Sequence, residues 1–197
     1  MNPHSRSRTI LALVLAITIA ATGCSAQWIN LALQDLPVLT QMALNIAALV
    51  GTLASGQQAS AADTAVIQNI SAQASRDLNL LQSLYAEYKS NPSGTTLQKI
   101  QNVISDLNQN LPALLQSAHI GNPVLSARIT AAVNLILTTV NSFAALMPQP
   151  APATAQKART ATPPPSAKQL RSQWNQQICA PTGNPALDAA FAQSALR

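Results

Sequence analysis

Apolar residues recur along much of this chain at alternating intervals of three and four, in four consecutive stretches. This spacing places them on one face of an α-helix. The four apolar stripes are Leu39, Met42, Ile46, Leu49 and Leu53; Ile67, Ile70, Ala74, Leu78, Leu81, Tyr85 and Tyr88; Leu97, Ile100, Ile104, Leu107, Leu111, Leu114 and Ala118; and Ile129, Val133, Ile136, Val140, Phe143 and Met147. No comparable alternation with period two occurs, so the sequence predicts helices rather than strands.

Helix-start signals stand between the stripes. Ser60 with Asp63, and Thr95 with Gln98, have the spacing of a capping box, and Asn122 precedes a proline suited to a first helical turn. Connections this short make neighbouring helices antiparallel. We therefore predict an all-α fold in which residues 24–147 form an antiparallel, up-down four-helix bundle.

Two prolines interrupt the periodic pattern in similar contexts. Pro37 lies in the segment Gln34–Gln41, and Pro112 lies in the segment Gln109–Gln116. A proline inside a helix removes one backbone hydrogen bond and clashes with the preceding turn, so each predicts a kink or a break into two shorter helices. A paired bend would open a cavity or a contact face, but chance in a chain rich in Ala, Leu and Gln explains the similarity equally well.

Residues 1–23 have the layout of an export signal. Arg6 and Arg8 precede an apolar run from Ile10 to Ala21, and no acidic residue occurs in this segment. The run is too short for a stable membrane span, and small residues follow it. We therefore predict that this segment is a signal peptide and takes no part in the core.

The end of the signal, Ala21-Thr22-Gly23-Cys24, resembles the lipobox of bacterial lipoproteins. The resemblance implies cleavage between Gly23 and Cys24, and acylation of the Cys24 thiol, for example by palmitate, and of the new amino group. It also implies a sorting role for Ser25, which is not the aspartate of inner-membrane retention and so favours the outer membrane. The expected location is the bacterial cell envelope, with the body facing the periplasm.

Other interpretations of the apolar segments remain open. The signal is alternatively cut after Ala26, or kept as a membrane anchor. In addition, two long uncharged stretches of the body have borderline length for membrane spans. Gln34 and Gln41, like Asn134 and Asn141, stand one heptad apart and give each helix a polar strip, which is costly against lipid. A water-soluble body is therefore preferred.

The composition changes after the fourth stripe. Residues 148–165 are rich in proline and predict an extended linker, which can reach about 55 Å. Residues 166–197 predict short helices, the first with Leu170, Trp174 and Ile178 on one side. Helices this short are not stable alone, so they either dock on the bundle or fold on a partner. We slightly favour an independent tail.

Charge divides the chain in the same way. Residues 24–147 carry a net charge of −1, whereas residues 148–197 carry +4. Such a tail suits an anionic wall polymer, anionic lipid headgroups or an acidic envelope protein, with Lys168, Arg171 and Trp174 as the candidate interaction residues. A solvated tail whose charges only keep it soluble is the alternative. Nucleic acid is a poor candidate, because export separates the chain from it.

The composition offers little for catalysis. Only 9% of residues are charged and 3% aromatic, with two histidines and two cysteines, and no nucleophile elbow, phosphate loop or His/Cys cluster occurs. We therefore expect no enzyme activity, cofactor or metal site. If Cys24 is acylated, Cys179 is left as a reactive thiol, an intermolecular bridge or a plain half-buried residue. Two functions remain: a lipid-anchored envelope protein that binds protein or wall partners, or a periplasmic bundle that binds an apolar small molecule.

Overall fold

The computed structural model describes residues 27–50, 60–117, 120–148 and 164–197, and within these ranges the fold is all-α, with no strand. Six helices make up this part of the chain: α1 Gln27–Val50, α2 Ala61–Ser90, α3 Gly94–Ser117, α4 Pro123–Ala144, α5 Ala167–Gln177 and α6 Pro185–Gln193. The predicted fold class is thus confirmed as all-α.

Local caps explain where most of these helices begin. The Ser60 hydroxyl accepts from the backbone N–H of Asp63, and the Asp63 carboxylate accepts from the backbone N–H of Ser60, as in a capping box. The Asn122 side chain accepts from the first turn of α4, which starts with a proline. Ser166 and Asn184 cap α5 and α6 in the same two ways. The predicted caps at Ser60 and Asn122 are confirmed.

The predicted cap of α3 is wrong by two residues. The Ser93 hydroxyl, not that of Thr95, accepts from a backbone N–H of the first turn, 3.1 Å from the nitrogen of Thr96. The reason is that α3 already begins at Gly94, so Thr95 is helical and exposed. The Thr96 hydroxyl donates to the Glu87 carboxylate at 2.7 Å and so joins α3 to α2.

Both prolines lie within continuous helices. Pro37 lies inside α1 and Pro112 inside α3, so neither helix is broken into two. Each proline costs one backbone hydrogen bond. Apolar burial on both sides offsets that loss, since Leu36 and Leu39 in α1, and Leu107 and Leu111 in α3, are fully buried.

The predicted stripes form the core. Every residue of the second and fourth stripes is buried, and in the other two only Leu97 and Leu114 are half-exposed among the described residues. Leu53 and Ala118 lie outside the described residues. One continuous apolar cluster includes side chains from all six helices.

Contacts at two levels orient α1 against α2. The Trp28 ring, near the start of α1, packs edge-on against Tyr85 near the end of α2, with ring centroids 5.4 Å apart. Farther along, the Ser71 hydroxyl of α2 donates to the Ala43 carbonyl of α1 at 2.5 Å. The two helices therefore run antiparallel, and Trp28 is a buried residue of the core.

Candidate functional site

The C-terminal segment, residues 164–197, is docked on the other helices. Leu170, Trp174 and Ile178 have no exposed surface and belong to the same apolar cluster as the stripes of α1–α4, as do Leu187 and Phe191 of α6. The independent tail that we favoured is therefore not what the structure has. Its alternative, in which the stripe of α5 docks, is the observed arrangement, because these large apolar side chains gain more from burial than from exposure.

Side chains of α1 and α5 fix the end of this segment through its backbone. The Ser194 carbonyl accepts from the Trp174 indole N–H at 2.9 Å and from the Asn45 amide at 2.8 Å. Asn175 forms two 2.9 Å bonds with the backbone of Leu196, donating to its carbonyl and accepting from its N–H. The turn after α6 is thereby held against α1.

Helix α4 holds the same segment from the other side through Arg128. Its guanidinium donates to the carbonyl of Gln177, the last residue of α5, and to that of Ala180 at 3.1 Å. A cation at this position satisfies terminal carbonyls and interacts favourably with the helix dipole. The guanidinium also lies over the Phe191 ring, 5.8 Å from its centroid, and so links α4 to α6.

Docking creates a cleft between α1 and the C-terminal segment, with a volume of about 520 Å³. Its α1 wall consists of Gln34, Pro37, Val38, Gln41 and Asn45, and its opposite wall of Arg171, Gln193, Ala195, Leu196 and Arg197. We call it the α1 cleft. Its size lies within the range of small-molecule and peptide sites.

The α1 cleft has a cationic wall and an amide wall. Arg171 is half-buried and Arg197 exposed, and among the described residues neither guanidinium forms an ion pair or a hydrogen bond. On the other side, Gln41 donates to the Asn45 oxygen at 2.9 Å, which orients both amides along the cleft. An anion entering this cleft would meet guanidinium groups whose hydrogen-bonding capacity is unused.

A buried carboxyl group lies behind this wall. Asp35 has no exposed surface, and within the described ranges neither of its oxygens forms a hydrogen bond of normal length and angle, although the backbone N–H of Ala167 lies close enough to act on the carboxyl group. Burial raises the pKa of Asp35 from 3.8 to about 6, against the opposing influence of the backbone N–H of Ala167 and of the Arg171 guanidinium. Asp35 is the clearest perturbed carboxyl group in the described part of the chain.

The candidate interaction residues of the tail have different surroundings. Lys168 is exposed on α5, Arg171 lines the α1 cleft, and Trp174 is fully buried, where its indole N–H is used in the fold. Trp174 is therefore structural in this arrangement and cannot meet a partner directly. The predicted cleavage and lipidation residues, Gly23 and Cys24, lie outside the described residues.

Sequence reasoning did not single out Arg197, Asp35 or the amide wall as parts of a site. The available signal was the heptad spacing of Gln34 and Gln41. We interpreted that spacing only as a polar strip that makes lipid exposure of the helix costly. Both are exposed and line the cleft. Asp35 carried no signal, since an acid beside a polar residue near a helix start usually faces solvent.

Cys179 and the apolar helices were also open questions. Cys179 is half-buried, its Sγ lies 3.4 Å from the Ser194 Oγ, and burial raises its thiol pKa. No group of three potential ligands for a metal occurs within the ranges that the structure describes. Helices α1 and α4 are long and apolar enough to cross a membrane by length and composition, and half of each apolar window is buried in the fold.

No family model matches the chain, and neither a curated protein nor a solved structure matches it.

Proposed function

We propose that this chain is a non-enzymatic, lipid-anchored protein of the bacterial cell envelope that binds an anionic protein or wall partner in the α1 cleft. One observation carries the binding role: two guanidinium groups without an ion-pair partner within the described residues, Arg171 and Arg197, line a cleft of about 520 Å³. The docked C-terminal segment thus supplies a preorganised cationic wall rather than a reaching tail.

The body that presents this cleft is, in this proposal, an up-down four-helix bundle of α1–α4 to which α5 and α6 are added. The antiparallel contacts of α1 with α2 support it, as does the reciprocal pair of 2.8 Å amide hydrogen bonds between Asn108 of α3 and Asn141 of α4. The short connections between α2, α3 and α4 point the same way.

The anchor in this proposal rests on the lipobox-like Ala21-Thr22-Gly23-Cys24. Helix α1 begins at Gln27, three residues after the proposed acylated cysteine. At about 1.5 Å of rise per residue, the α1 wall of the cleft would lie roughly 10–27 Å from the start of the helix. The cleft would then face partners close to the membrane surface, and two or more acyl chains would make attachment essentially permanent.

Intact-mass measurement after expression in a lipidating bacterium tests the anchor. We expect a mature chain that begins at Cys24 and carries acyl groups, and we expect Cys24→Ala to leave the membrane fraction. Cys179→Ala is the matched control and should stay membrane-bound. A mature chain that begins at Gln27, or an unchanged membrane fraction for Cys24→Ala, would contradict the anchor.

The alternative, a site for an apolar small molecule at the two prolines, draws less support from the clefts found there. The α1 cleft beside Pro37 carries two guanidinium groups. A second cleft, beside Pro112, is lined by Ala113 and Leu114 but also by the amides of Gln73 and Asn110 and by Ser117. Polar groups that an apolar ligand leaves unpaired weaken its binding.

A further inference from the structure

The α1 cleft joins three kinds of chemistry that one class of ligand uses together. Its guanidinium groups suit carboxylates, its amide wall offers both donors and acceptors, and an apolar strip runs between them. We propose that the cleft binds an extended, acidic peptide segment, with its carboxylates on Arg171 and Arg197, its backbone along Gln34 and Gln41, and a small aliphatic side chain against Pro37 and Leu196. This deepens the binding role in the proposed function and depends on that role, but it does not depend on the anchor.

The charge of the cleft selects an anion. Arg171 and Arg197 have no ion-pair partner among the described residues, and Asp35, on whose carboxyl group Arg171 acts electrostatically, is fully buried. A guanidinium group binds a carboxylate with two parallel hydrogen bonds, and such bonds are stronger where water is partly excluded. Half-buried Arg171 fits that requirement better than exposed Arg197 does.

The spacing of the amide wall matches an extended backbone. Gln34 and Gln41 are seven residues apart on α1, which corresponds to about 10 Å along the helix axis. Three residues of an extended peptide cover about the same distance. The two exposed amides can therefore pair with peptide groups about three residues apart, donating to a carbonyl and accepting from an N–H.

The apolar strip favours a peptide over a polymer of sugars or polyol phosphates. Exposed Pro37 on α1 and half-buried Leu196 line the same cleft, whereas Val38 is only 5% exposed and adds little surface. Burial of a small aliphatic side chain between them is favourable, whereas a hydroxyl group placed there would lose hydrogen bonds to water. A peptide that alternates acidic and aliphatic residues satisfies both walls and the strip.

Fluorescence anisotropy with a labelled hexapeptide that alternates alanine and glutamate tests this assignment. The mature protein, purified in mild detergent, should bind it, and should bind the matched alanine–glutamine peptide at least about tenfold more weakly, since charge-assisted hydrogen bonds are lost. Arg171→Gln should weaken binding of the acidic peptide by about tenfold as well. Lys168→Gln is the matched control: it removes the same charge from an exposed position on α5 that does not line the cleft, and should change binding less than about twofold.

A second variant, Arg197→Gln, separates an effect on peptide binding from an effect on folding. Arg197 is exposed at its position beyond α6, so Arg197→Gln should leave the melting temperature unchanged and still weaken the acidic peptide by a few-fold. Equal effects of Lys168→Gln and Arg171→Gln, or equal binding of the two peptides, would overturn the proposal. So would a polyol phosphate that binds more tightly than the peptide and displaces it. The anchor is measured separately by membrane fractionation, so a soluble protein that binds the peptide would overturn the anchor alone.

Discussion

Helices α2–α4 are held in the core mainly by long apolar stripes, whereas the shorter α5 and α6 combine a few buried side chains with hydrogen bonds to their backbone. Helix α4 has 22 residues and ten of them are buried, whereas α5 has 11 residues and two buried. In compensation, the C-terminal segment is tied through its backbone by Trp174, Asn45, Asn175 and Arg128. Short isolated helices are marginal in water, so α5 and α6 depend on these distant contacts.

The difference bears on function as well as on stability. A long helix with a full stripe tolerates changes on its exposed side, because its position is fixed by the core. The C-terminal segment is positioned by the buried side chains of two short helices together with a few polar bonds, and it carries the cationic wall of the α1 cleft. Changes that loosen this segment should therefore alter the cleft before they unfold the body.

The largest expected loss of stability follows from a substitution in the middle of α4, within the region α2–α4. Ile136→Asp places a carboxylate at a position with no exposed surface, which should cost several kcal/mol and match the whole stability margin of about 5–15 kcal/mol. Urea denaturation followed by circular dichroism measures it. Thr138→Asp, at an exposed position of the same helix, is the control and should stay within about 0.5 kcal/mol of the native protein. Equal effects would contradict the assignment of the core.

The next largest loss of stability is expected from a substitution in α5, within the region α5–α6. Trp174→Ala removes a fully buried ring and should cost about 3–5 kcal/mol. Trp174→Phe keeps most of the packing and removes the indole donor, so about 1 kcal/mol is expected, since the Ser194 carbonyl keeps its bond from Asn45. The Cys179 thiol should be alkylated faster in Trp174→Ala, because its cover is lost. An unchanged melting temperature in Trp174→Ala would mean that the segment is not docked.

These two regions also differ in what their sequence predicts. The stripes and caps of α2 and α4 rest on residues three or four apart, so periodicity alone located them. The bond from Asn45 to Ser194 joins residues 149 apart, and no local pattern encodes such a pairing. The α1 cleft forms because docking of the C-terminal segment brings Arg171 beside α1, so its residues were visible in the sequence only as separate charges and amides.

Asp35 lies on α1 beside the C-terminal segment, and its titration should be visible in the stability. The unfolded carboxyl group has a pKa near 3.8 and the folded one about 6. Between these values the folded protein binds more protons, so the free energy of unfolding falls as pH rises, by roughly 3 kcal/mol in all. Urea denaturation at pH 4 and pH 7.5 should show this fall in the native protein and a much smaller one in Asp35→Asn.

The smallest expected effect compares the same substitution in both regions. Asn175→Ala leaves the N–H and carbonyl of Leu196 without their partner, which should cost about 1 kcal/mol and weaken binding in the α1 cleft, whose wall includes Leu196. Asn108→Ala removes an equally short pair of bonds between α3 and α4, but Asn141 is exposed and water replaces the lost partner, so only a few tenths of a kcal/mol are expected. Urea denaturation of both variants measures the difference. A larger loss of unfolding free energy for Asn108→Ala than for Asn175→Ala would mean that polar contacts position the long helices too. The proposed difference between the two regions would then be wrong.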